Sequence, residues 1–107
     1  MKLILAIVSK DDSADVSQAL NRNSFQVTKL ATTGGFLSLG NTTLIVGCDD
    51  DQVDKAIEII GNESKRRTEI APSTASFGSG EFAPMPVEVT VGGATIFVLD
   101  VDQFVKL

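Results

Sequence analysis

The run Lys2-Leu3-Ile4-Leu5-Ala6-Ile7-Val8-Ser9 most constrains what this chain can become. Its apolar residues follow one another without alternation. A strand with one wet face alternates, whereas a near-continuous apolar strand is covered on both faces. The run is far short of the ~20 apolar residues a membrane helix needs. Asp11 and Asp12 follow at once, unlike the cleavage region of a signal sequence. A central strand is therefore expected, with no membrane insertion. At 107 residues the chain fits a single domain, residues 1–107. A domain of this size buries only part of its surface and often oligomerises. Hydrophobic residues make up 43 %, enough for a packed core.

The rest of the chain supplies partners for that strand. Asp12 or Ser13 is placed to cap a helix running to Arg22, with Val16, Ala19 and Leu20 on one face. Asn23 suits a left-handed helix end. Residues 24–32 read as a second strand, and the slip in its alternation between Val27 and Leu30 predicts a bulge. Residues 33–40 form a loop, and Thr42 to Cys48 a third, β-branched strand. Asp49-Asp50-Asp51 fits the positive end of a following helix better than a metal site. In that helix Val53, Ala56, Ile57 and Ile60 recur at i, i+3, i+4 and i+7, and Gly61 is expected to end it. Lys65 to Ala71 predicts a short strand ending at Pro72. Residues 73–86 are rich in Ser, Gly and Pro, and a loop this long in a small domain is functional or disordered. Val87 to Val91 alternates, Gly92-Gly93 signals a two-residue hairpin, and Ala94 to Leu99 is the last strand. Without the strand-loop insertion before the last strand, the order is β-α-β-β-α-β, an α+β ferredoxin-like arrangement.

The residue inventory narrows the chemistry. The chain has no His, Tyr or Trp. That removes the commonest general base and every His-dependent triad or metal centre. No serine sits in a nucleophile-elbow pattern. The scattered carboxylates read as solvated surface groups. A net charge of −5 opposes binding to a DNA or RNA polymer, which demands a basic face. The single cysteine, Cys48, has no internal partner and fits a reducing cytoplasm, as a small buried hydrophobe rather than a reactive thiol. No catalytic residue, metal or bound cofactor is expected.

One stretch stands apart. Residues 29–43 hold three glycines, four threonines, Phe36 and Asn41. Gly35 and Gly40 have the spacing of a Walker phosphate loop, but Asn41 replaces the required lysine and a strand follows where a helix is needed. The stretch suits an adenine better. Phe36 offers a stacking face. The Asn41 carboxamide presents a donor and an acceptor that match adenine N6 and N7. Backbone N–H groups near Gly34 and Gly35, with hydroxyls of Thr28, Thr32 or Thr33, suit ribose or phosphate. Lys10, Arg22 and Lys29 are candidate charge partners. Phe36 as a core anchor or subunit contact is the competing reading.

Two long motifs carry a more specific likeness. The run from Thr28 to Leu37 with Gly40-Asn41-Thr42-Thr43, and the run Pro86-Val87-Glu88-Val89 with Val91-Gly92-Gly93-Ala94-Thr95 and Phe97-Val98-Leu99, resemble the PII-like cyclic di-AMP receptor family. The likeness covers essentially the whole chain. It implies a homotrimer of ferredoxin-like subunits with three ligand sites between neighbours. It implies a non-catalytic sensor whose loops rearrange when cyclic di-AMP binds, so that an unidentified downstream protein is regulated. The adenine would stack on Phe36. Thr28, Asn41 and the Gly47 backbone would make polar contacts, with Gly35, Leu37 and Phe97 nearby. The loop at residues 73–85 would be the enlarged, partner-facing one. The chain departs from the family pattern at Ser24 and Gln26, where Asn and Arg are usual, and at Lys106, where Gln is common. A PII-type ATP or ADP sensor using Lys65, Arg66 and Arg67 is the alternative within the binding class. A nucleotide-hydrolysing enzyme and a ligand-free interaction module are the others.

Overall fold

The computed structural model describes residues 1–30, 40–72 and 86–107. Its first strand, β1 (Lys2–Ser9), is the second strand from one edge of a four-stranded antiparallel sheet ordered β2-β3-β1-β6. The remaining elements are α1 (Ser13–Arg22), β2 (Val27–Leu30), β3 (Asn41–Cys48), a 3₁₀ turn (Asp50–Gln52), α2 (Val53–Glu63), β4 (Arg67–Pro72), β5 (Pro86–Val91) and β6 (Ala94–Asp100). Order and topology are those of the expected ferredoxin-like α+β fold. The strands β4 and β5 pair with each other, Arg67 opposite Val91 through Pro72 opposite Pro86, as a separate two-stranded arm.

Both helices serve one face of the main sheet. Ile4, Ala6 and Val8 of β1 point into it and are essentially sealed from solvent. They join Val16 and Leu20 of α1, Leu44 and Val46 of β3, and Ala56 and Ile60 of α2 in a single core. Among the described residues, the other face has no helix. Leu3, Leu5 and Ile7 lie there, half-buried. Cross-strand register adds Ile45 and Gly47 from β3, and Phe97 and Leu99 from β6. Phe97 is 53 % and Leu99 44 % exposed. β1 is thus apolar on both faces as its sequence requires, but the described residues of one chain cover only one of them.

Several local expectations are corrected. β2 carries no bulge in its described pairs; Val27 to Leu30 oppose Val46 to Thr43 in unbroken register. Its apparent slip arises because Val27 packs on the helix-covered side and Leu30 lies on the opposite face, so both faces take an apolar residue. β3 begins at Asn41, one residue before the expected Thr42. α2 passes Gly61 and ends at Glu63, because the buried Ser64 hydroxyl donates to the Ile60 carbonyl and serves as its cap. Among the three aspartates, none makes a side-chain capping bond, and Asp50 instead meets the Met1 amine at 3.0 Å. That pairing holds the Asp50 carboxyl below its ordinary range. Gly92-Gly93 is not a hairpin. Both residues have positive φ, 86° and 81°, as a two-residue turn would require, yet β5 pairs with β4 and β6 with β1. The glycines are a joint between two sheets. A Cβ on Gly92 would stand 2.4 Å from the Lys65 carbonyl oxygen, so no other residue fits.

The end of α1 shows how a local rule is bent. Ser24 N–H donates to the Asn21 carbonyl and Phe25 N–H to the Leu20 carbonyl, at 3.1 and 3.0 Å. This is a Schellman motif, with the buried pair Leu20 and Phe25 as its apolar contact. The left-handed residue is Ser24, φ 68°, and not Asn23, φ −100°. Glycine is the usual occupant, since a Cβ in this region costs about 1–2 kcal/mol.

At the start of α1 the buried Asp12 occupies the cap position but makes no capping bond. Its carboxylate receives two hydrogen bonds from Arg67, Nη2 at 2.8 Å and Nη1 at 3.3 Å. Arg67 Nη1 also donates to the Lys65 carbonyl at 3.1 Å. Gly93 N–H donates to the Ser64 carbonyl. These bonds fix the root of the arm to the main sheet and helices.

Two stability outcomes follow. Ser24→Gly should raise the free energy of unfolding in urea by about 0.5–1 kcal/mol, the relief of the left-handed strain less the added chain entropy. Asp12→Ala should lower it by about 1–2 kcal/mol, a value moderated because the Arg67 side chain keeps 39 % of its exposure.

Candidate functional site

Three clefts are described, and β3 runs between them. Two adjoin the Gly47 end of the strand. The first, about 340 Å³, is walled by Gln26, Thr28, Ile45 and Gly47, with Leu3 and Phe104 closing it. It is mainly apolar, with one amide and one hydroxyl. Gly47 lets its backbone border the cleft; a Cβ there would meet only the flexible end of Met1, at 3.3 Å. The second, about 390 Å³, lies on the other side of Gln26 and Gly47 and is lined by Ser24, Cys48, Asp49 and Gln52. The third, about 210 Å³, is at the opposite end of β3, where Asn41, Thr95, Arg66 and the Gly92–Gly93 joint surround Ile7.

Strand pairing explains this distribution. Thr28 and Gly47 share the open face and the first cleft because Thr28 opposes Ile45, two residues from Gly47 on the same side of β3. Phe97 lies on that face too, opposite Leu5, but three strands from Thr28, or roughly 14 Å across the sheet. Asn41 is six residues from Gly47 along β3, a rise of roughly 20 Å. Of the site residues expected from sequence, Thr28 and Gly47 come together, while Asn41 and Phe97 stand apart. Gly35, Phe36 and Leu37 lie outside the described residues. Gln26 and Phe104 line the Gly47 cleft and were not among the expected contacts. The signal for Gln26 was strand alternation, which puts it on the same side as Thr28. The signal for Phe104 was a bulky ring in an exposed tail.

Electrostatics separates the clefts. Among the described residues, the two at Gly47 carry no Lys or Arg in their walls, and one of them carries Asp49. Burial, and next the charge of Asp49, push the Cys48 thiol above its ordinary range. The third cleft carries Arg66. The basic run Lys65-Arg66-Arg67 therefore divides: Arg67 holds Asp12, and Arg66 faces the cleft. Next to this cleft, Thr43 Oγ1 of β3, whose residue pairs with Ile7, is buried without a hydrogen-bond partner among the described residues. Those residues also contain no group of three His, Cys, Asp or Glu suited to a metal, and no helix long and apolar enough to cross a membrane.

Amides, hydroxyls, bare backbone and one guanidinium border these clefts and suit them to a small ligand with polar groups. The comparisons give the chain its family. The model of the cyclic-di-AMP receptor family matches residues 1–107, and the chain belongs to that family. A crystal structure of a functionally unknown protein from Pediococcus pentosaceus is similar to it, at 40 % identity over 99 % of this chain and 96 % of that one, with a TM-score of 0.75.

The Cys48 thiol should react slowly. At pH 8 its thiolate fraction lies below that of an unperturbed cysteine, so Ellman's reagent should modify it more slowly than a free cysteine peptide. Asp49→Asn should speed the reaction by removing a charge that favours the protonated thiol. An unchanged rate in that variant would contradict the electrostatic contribution.

Proposed function

We propose that this chain is a non-catalytic receptor that binds cyclic di-AMP at sites shared between three identical subunits. The observation that carries this reading is the separation along β3. Roughly 20 Å of strand divides Asn41 from the Thr28–Gly47 cleft, too far for one adenine to touch both within a chain. A second copy brings complementary halves together without bending the sheet. The open sheet face supplies the reason to associate, since Leu3, Leu5, Ile7, Phe97 and Leu99 lose water only against another surface. The number three comes from the family likeness.

In this reading Phe36 stacks on the adenine and Asn41 reads its edge. Thr28 and the Gly47 backbone hold the polar groups of the other half, with Gly35, Leu37 and Phe97 beside them. Loop rearrangement, chiefly of the enlarged loop at residues 73–85, then reports occupancy to a downstream protein. Nothing in the ligand's role requires bond breaking. The alternative ATP sensor is weakened by the engagement of Arg67 with Asp12, which leaves two of the three neighbouring cations for a triphosphate.

Light scattering should give three times the subunit mass. Calorimetry should give one cyclic di-AMP per subunit, and Phe36→Ala should weaken binding by about 10- to 100-fold, the loss of one base stack. A monomer in solution, or titration with no heat and no spectral change, would defeat the reading. Undiminished affinity in Phe36→Ala would defeat the stacking role alone.

A further inference from the structure

We propose that the cleft at the root of the β4–β5 arm is a phosphate-binding site centred on Arg66. The site is defined by its walls and does not require the receptor reading. Its use by the phosphodiester of cyclic di-AMP does rest on that reading.

The charge distribution singles it out. It is the one described cleft with a Lys or Arg in its wall, and its lining contains no carboxylate; the Met1 amine beside the first cleft is already paired with Asp50. Arg67, the next residue, is held by Asp12, so that acid is already engaged by a bidentate pair. Arg66 itself is exposed and makes no hydrogen bond or ion pair among the described residues. A guanidinium presents a planar fork of donors matched to two oxygens of one phosphate. Asn41 and Thr95 add an amide and a hydroxyl from the opposite walls.

Gly93 makes room. It lies beside Arg66, where a Cβ would come within 3.8 Å of Nε, so its absence leaves that part of the wall as bare backbone. Gly92 is needed for a different reason, since the Lys65 carbonyl oxygen fills the place of its Cβ. The volume, about 210 Å³, suits a phosphate with part of its ester and is small for a whole dinucleotide. The site has a further property of position. It touches the joint that links the arm to β6, so an occupant contacts the joint and the first residues of β6.

The test uses inorganic pyrophosphate as probe and amide chemical shifts as readout. Titration of the full chain should give saturable shifts at Gly92, Gly93 and Thr95. Arg66→Gln should weaken that response about tenfold, and Arg66→Lys should retain part of it. Lys55→Gln, on the exposed face of α2, should leave it unchanged. Absence of saturable shifts at those three amides, or an undiminished response in a folded Arg66→Gln protein, overturns the site.

A second pair of titrations identifies the source of the phosphate. If the messenger supplies it, Arg66→Gln weakens cyclic di-AMP about tenfold and leaves adenosine unaffected. If a free phosphate compound supplies it, the variant loses pyrophosphate and keeps cyclic di-AMP. Failure of the wild type to bind cyclic di-AMP would overturn the receptor reading, with the pyrophosphate result still deciding the site.

Discussion

The structure depends on one mismatch: a sheet that is apolar on two faces and helices that cover only one. β1 sets it. Ile4, Ala6 and Val8 are sealed against α1 and α2, while Leu3, Leu5 and Ile7 remain half-buried on the far side. Helix and core arrangement would be satisfied by a polar far face. Sequence instead places Ile45, Phe97 and Leu99 there. The hydrophobic effect scales with apolar area removed from water, so this face favours association over isolation. The clefts open along the ends of the same strands that carry this face.

Charge placement refines the picture. An acidic chain that receives a phosphate-bearing ligand must concentrate its positive charge where it is used. Here acids are occupied by structural tasks. Asp50 holds the chain's amino end, Asp100 pairs with Lys2, and Asp12 holds Arg67. Those pairs offset three of the acids, and Arg66 stands outside any pair among the described residues. Gln26 stands beside Gly47 in both clefts at that end of β3, and their walls hold no Lys or Arg. The cation stands instead at the Asn41 end.

Much of the fold was legible in the residues, and the exceptions share a cause. Ala56 and Ile60 are buried at the spacing their helix predicts, and the unbroken apolar run of β1 does lie inside the sheet. The misread points all needed a partner that local pattern does not name. Gly92-Gly93 has the backbone of a tight turn, but which strand β5 joins is decided by β4, some twenty residues earlier. Gly61 looked like a helix end until Ser64 supplied a buried cap three residues on. The slip in β2 looked like a bulge until both sides of the sheet proved apolar. Site residues divided in the same way. Alternation puts Thr28 and Gly47 on one face correctly. It does not say that Asn41 lies at the other end of the strand, because distance along β3 matters only once the cleft positions are known.

The joint at residues 92–93 gives the β4–β5 arm a mechanical character. All of its described hydrogen bonds to the rest of the chain gather at one end, through Ser64, Lys65, Arg67 and Gly93. Beyond them, six-residue strands extend roughly 20 Å. The arm is therefore a lever with a short pivot. A tilt of about 10° at the glycines displaces its far end by roughly 3–4 Å, so an atomic-scale adjustment beside Arg66 is magnified into a displacement that a second macromolecule could sense.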